Sequence, residues 1–91
     1  MEPLSDIVSI KYIGQYIYHI VFEDGIEGDV DFSKYVGRGP VFEPFKDLDF
    51  FSKAYIENGT ITWLNGADIA PDTLYDKLAA KKRKKREKVL V

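Results

Sequence analysis

The sequence contains no cysteine and a single histidine. Without cysteine there is neither a disulfide framework nor a thiolate metal site, so packing alone must hold the chain, and a reducing compartment is the expectation. Having only His19 removes most schemes in which several histidines ligate a metal or share acid–base work. No run approaches the roughly 18 apolar residues of a membrane span, and Met1–Gly14 lacks a basic segment followed by an apolar stretch. A soluble, cytoplasmic protein with no membrane role is expected. A nucleophile and base at recognisable spacing are also lacking, so no residue is assigned as catalytic and no metal or cofactor is implied.

What is present is unevenly charged. The formal net charge is −2, yet residues 1–76 carry 5 basic and 14 acidic side chains, net −9, whereas residues 77–91 carry 8 basic and 1 acidic, net +7. Ninety-one residues suit one domain. The pattern divides them into a compact α+β domain over 1–77 and a basic helical extension or tail over 78–91.

Turn residues organise the domain. Gly14-Gln15 and Asp24-Gly25 read as two-residue hairpin turns joining three strands in an antiparallel meander. Counting outward from them places Tyr12 opposite Ile17, Ile10 opposite His19, Val8 opposite Val21, and then Ile17 opposite Phe32 and His19 opposite Val30. That register makes Val8, Ile10, Tyr12, Ile17, Val21, Val30 and Phe32 the core face. It leaves Tyr16, Tyr18, Ile20 and Phe22 in a row on the other face, available to later segments of the chain, a subunit or a partner. Ser33 reads as a helix N-cap before an irregular segment rich in glycine and proline, in which Phe42 and Phe45 plug the core. Asp47 caps a short helix, and Asn58-Gly59 forms a type I' hairpin pairing Ile56 with Ile61. Pro71, at a first helical position, starts a helix that carries Leu74 and Leu78 and runs into the basic residues. The expected fold is thus α+β, a small antiparallel sheet from the meander and the later hairpin, short helices and a C-terminal helix.

Four features invite a functional reading. His19, on the core face, reads as a neutral hydrogen-bonded core histidine. Glu27, Asp29 and Asp31 alternate along strand three, about 6.6 to 6.8 Å apart; they could hold a hard cation for a metal-dependent hydrolase, or guard a sheet edge against aggregation. Gly37-Arg38-Gly39-Pro40 could meet a phosphate but lacks the lysine and hydroxyl of a P-loop. The run Lys81, Lys82, Arg83, Lys84, Lys85, Arg86 and Lys88 could neutralise several phosphates of a nucleic acid, dock on an acidic protein, or stay solvated. It has no interleaved aromatics for base stacking and no apolar face for a membrane. The leading expectation is a non-enzymatic interaction module that binds a protein partner or a second copy of itself through Tyr16, Tyr18, Ile20 and Phe22, with nucleic-acid binding by the basic run as the alternative.

The order of Phe22-Glu23-Asp24-Gly25, Val30-Asp31-Phe32, Pro40-Val41-Phe42, Phe51, Ile61-Thr62-Trp63, Gly66-Ala67-Asp68-Ile69-Ala70-Pro71-Asp72 and Leu74-Tyr75 resembles a bacterial family known as domain of unknown function 2442. The likeness runs from about Leu4 to Tyr75, with the stretch from Trp63 to Tyr75 its most specific part. The resemblance implies a compact α+β domain with a small sheet and a C-terminal helix, and no established activity. It also implies partner binding of an antitoxin-like kind, because the gene arrangement of members is similar to that of toxin and antitoxin pairs. Ala70 stands where that pattern has a serine cap, leaving Asp68 as a substitute. On this reading Trp63, Asp68, Pro71 and Tyr75 form a structural joint between the last strand and the helix.

Overall fold

A computed structural model describes the backbone of residues 6–90 and the side chains of residues 6–80. Two three-stranded antiparallel sheets share one aromatic core. The first contains β1 (Ile7–Gly14), β2 (Ile17–Phe22) and β3 (Glu27–Asp31) in the order β1-β2-β3. An irregular segment with 3-10 turns at Ser33–Tyr35 and Pro40–Lys46 leads into the one-turn helix α1 (Leu48–Phe51). The second sheet is β4 (Tyr55–Glu57), β5 (Thr60–Thr62) and β6 (Asp68–Ile69), and α2 (Pro71–Leu90) follows. The fold is α+β, as expected, with the later hairpin forming a sheet of its own because β6 adds to β5.

The first sheet departs from the sequence register by one residue, and this turns β2 over: Val30 and Phe32 stay in the core with Ile10 and Tyr12 packed against it, whereas Ile17 and Val21 leave it and Val8 is exposed. The Gly25 amide donates to the Phe22 carbonyl at 3.0 Å and Gly25 sits at φ 95°, so the loop is Glu23-Asp24-Gly25, three residues ending in a left-handed glycine. The Asp24 carboxylate locks it by accepting from the Ile26 amide at 3.1 Å and from the Tyr75 hydroxyl at 2.6 Å. His19 therefore lies opposite Asp29 and not Val30, and Tyr18 opposite Val30. The β1–β2 turn likewise moves to Gln15-Tyr16, with an irregularity between Tyr12 and Gly14, so Tyr12 pairs with Tyr18 and Lys11 with His19. Side chains on a strand alternate, so a slip of one residue exchanges core for solvent along the whole strand.

The consequence is that Tyr18, Ile20 and Phe22 are core residues, at 2%, 0% and 1% exposure, covered by the chain itself, with Tyr16 half-buried beside them. Tyr18 meets Phe51 of α1 at a 5.2 Å ring separation, Phe32 at 6.1 Å and Trp63 at 6.3 Å. Its hydroxyl donates to the Phe51 carbonyl at 2.7 Å and accepts from the Ala54 amide at 3.0 Å. Trp63 Nε1 donates to the same Phe51 carbonyl at 2.9 Å. Phe45 is fully buried against Trp63, whereas Phe42 is partly buried.

Other local expectations meet the structure more directly. Asn58 and Gly59 both take positive φ, 52° and 73°, as a type I' turn requires, and Ile56 pairs with Ile61. Asp47 caps α1 by accepting from the Asp49 amide at 3.0 Å. Ser33 is not an N-cap; Phe32 holds that position, and Asp31 accepts from the Ser33 amide at 2.8 Å. Over β3, Leu78 of α2 lies so close that a Cβ at Gly28 would sit 2.8 Å from its Cδ2, which explains why a strand position carries no side chain.

The stretch from Trp63 to Tyr75 is a connection between β5 and α2. The Gly66 amide donates to the Trp63 carbonyl and the Trp63 amide to the Ala67 carbonyl, each at 2.9 Å. Asn65, not Asp68, stabilises this turn: its Oδ1 accepts from the Ala67 amide at 3.1 Å and its Nδ2 donates to the Val41 carbonyl at 2.9 Å. Asp68 is exposed on β6 opposite Thr62. Pro71 begins α2, and the Tyr75 ring packs edge-on against Phe22 at 5.1 Å.

Candidate functional site

Because the register turns Tyr18, Ile20 and Phe22 inward, the neighbouring residues Ile17, His19 and Val21 face outward with the acidic row of β3. His19 is held at both ring nitrogens: Nδ1 lies 2.8 Å from Asp29 Oδ1 and Nε2 lies 2.8 Å from Glu27 Oε1. A histidine between two carboxylates donates from both nitrogens only as the imidazolium, so hydrogen bonds to Glu27 and then Asp29 raise its pKa above 6.5. His19 is therefore a half-exposed, charge-paired residue on an open face, not a neutral core histidine.

A folded-state pKa above the unfolded one gives stabilisation that is fully present below about 6.5 and lost as pH rises through the folded value. The expected result is that the stability gap between wild type and His19→Gln narrows on raising pH from about 6 to about 8. Urea denaturation at each pH measures the gap, and imidazole titration by NMR should give a midpoint above 6.5. A midpoint below the ordinary value would show that His19 is desolvated instead.

These bonds also redefine the acidic row. Glu27 and Asp29 are engaged by His19, and the Ser33 amide and hydroxyl hold the Asp31 carboxyl below the usual carboxylate range. Among the described residues no group of three or more His, Cys, Asp or Glu is arranged to hold a metal ion. Arg38 sits in an exposed loop between Gly37 and Gly39. No described helix is long and apolar enough to cross a membrane.

Residues Lys81, Lys82, Arg83, Lys84, Lys85, Arg86 and Lys88 fall within α2, which continues unbroken to Leu90, while their side chains lie outside those described. The first half of α2 is anchored: Leu74 and Leu78 are buried at 0% and 4% exposure and Tyr75 is tied to Asp24. The basic run is thus the continuation of a helix whose other end is built into the core. The sequence expectation of a helix running from Pro71 into the lysines corresponds to this element, and the suggested boundary at residue 77 falls inside it.

The open face could not be found from hairpin signals, because Asp24-Gly25 fits a two-residue and a three-residue loop equally well. One of the contacts that hold this loop, between Tyr75 and Asp24, spans 51 residues. Comparisons with curated proteins and with solved structures gave no match. The model of one family does match, over residues 7–80, which is most of the chain and the whole of the described core: the protein belongs to the family of proteins of unknown function DUF2442.

Proposed function

We propose that this protein is a non-enzymatic nucleic-acid-binding protein whose contact element is the basic second half of α2. The observation that carries this reading is the continuity of α2 from its anchored turn at Leu74 and Leu78 through residues 81–88. At about 100° per residue, the seven basic positions spread over about 260° of the helix circumference, with Glu87 in the remaining sector. A flat acidic protein surface would meet only one side of such a rod. A major groove, about 12 Å wide and bordered by phosphates on both walls, admits an α-helix and meets its inner side and both flanks. The charge densities also correspond: the helix rises about 1.5 Å per residue, and duplex DNA carries one charge per about 1.7 Å. The acidic body, net −9 over residues 1–76, is repelled by the same phosphates and leaves the arm as the element that approaches.

The test compares the full chain with a chain ending at Ala80 for binding to a labelled mixed-sequence duplex DNA at low salt. Removal of the arm is expected to weaken binding at least about 100-fold, since each lost phosphate contact removes counterion release. Duplex RNA, whose major groove is deep and narrow, is expected to bind the full chain less tightly. Equal binding by the two chains, or no binding by either, would overturn the reading.

A further inference from the structure

The outer face of the β1-β2-β3 sheet carries charge in an ordered way across its strands. One cross-strand row reads Lys11 on β1, His19 on β2 and Asp29 on β3. Asp29 and Glu27 are satisfied by His19. Lys11, exposed at the opposite edge, has no hydrogen-bond or ion-pair partner among the described residues. The rows on either side carry apolar groups on the central strand, Ile17 and Val21, and Ile13 on β1 is 51% exposed. The face therefore carries one lysine on the β1 edge, carboxylates along the β3 edge, and apolar side chains with a paired histidine between them.

We infer that this face is the contact surface for a second copy of the chain, joined about a two-fold axis parallel to β2. Such an axis exchanges the edges and preserves the level along the strand. It therefore lays β1 of one copy over β3 of the other, brings Lys11 of each protomer above Asp29 of its partner, and stacks Ile17 and Val21 on their own copies. Aligned sheets stack about 10 Å apart, a gap that a lysine and a carboxylate side chain can bridge. Charge complementarity selects this arrangement. A two-fold axis perpendicular to the strands would instead keep Lys11 over Lys11 and the acidic row over the acidic row, which like-charge repulsion disfavours. Three short strands make a small interface, so the dimer belongs to the weak, concentration-dependent class.

Sedimentation of the full chain over a concentration series up to about 1 mM, a range set by the weakness of small interfaces, tests the inference by charge exchange. Lys11→Glu and Asp29→Lys are each expected to weaken self-association at least about tenfold. The double variant is expected to restore it, because the introduced carboxylate of each copy then faces the introduced ammonium of the other. Ile13→Asp, at an exposed position, is expected to abolish association while leaving thermal unfolding close to wild type. A wild-type chain that stays monomeric throughout, or a double variant no better than either single one, would overturn the two-fold contact.

Discussion

Replacing Trp63 by alanine is expected to cost about 3–5 kcal/mol of unfolding free energy. The indole is 1% exposed and stands in the middle of the core: its ring lies 4.5 Å from Phe45, 5.5 Å from Phe51 and 6.0 Å from Phe32. It also donates from Nε1 to the Phe51 carbonyl, so truncation leaves a cavity between the sheets and removes a hydrogen bond. Domains of this size are stable by only about 5–15 kcal/mol, which makes the loss a large part of the whole. Urea denaturation followed by far-ultraviolet circular dichroism measures it, the tryptophan itself being gone. Trp63→Phe should lose less, because most of the volume stays. A cost below about 1 kcal/mol for the alanine variant would mean that the two sheets do not share this core.

Tyr18→Arg is expected to abolish cooperative folding, not merely an association. The ring is 2% exposed among Tyr12, Phe32, Phe51 and Trp63, and no carboxylate is hydrogen-bonded there to receive a guanidinium. An uncompensated buried charge costs about 3–5 kcal/mol or more, and the lost aromatic packing adds to it. The milder Tyr18→Phe isolates the hydroxyl, which bridges the Phe51 carbonyl and the Ala54 amide and so ties the end of α1 to the start of β4. Leaving the Ala54 amide unpaired should cost about 1–3 kcal/mol. Burial also raises the phenol pKa, so Tyr18 should remain protonated at a pH where exposed tyrosines ionise. Thermal unfolding monitored by circular dichroism separates the outcomes. If Tyr18→Arg unfolded like wild type, the residue would lie on a surface and the strand register would be wrong.

The sequence showed most clearly those features decided by one or two residues. Asn58-Gly59 marks its turn because both positions require positive φ, which few other residues tolerate. Asp47 and Pro71 mark helix starts through side-chain and backbone chemistry that acts within a turn. The register of β2 was not legible in the same way. Both faces of that strand carry large residues, Tyr18, Ile20 and Phe22 on one and Ile17, His19 and Val21 on the other, so hydrophobic alternation alone does not choose between them. The choice is made by loop length, and the loop is held by Tyr75 from the far end of the chain. One residue of slip moved the row considered for partner binding into the core and brought His19 into the open. β6 escaped notice for a different reason: at two residues it has no periodicity to read, and it exists because Ile69 and Asp68 find Ile61 and Thr62 beside them. For the proposed functional element the position reverses, since the charge run is plain in the sequence and the helix beneath it makes it an arm.

Nucleic-acid binding of this kind requires the arm to act as a neutralising rod. The most direct measurement is the affinity of the full chain for duplex DNA across a salt series. With seven basic residues in positions 81–88, the plot of log affinity against log salt is expected to fall with a slope approaching about −6 per chain. A slope shallower than about −2, corresponding to two or fewer neutralised phosphates, would contradict an arm lying in the groove.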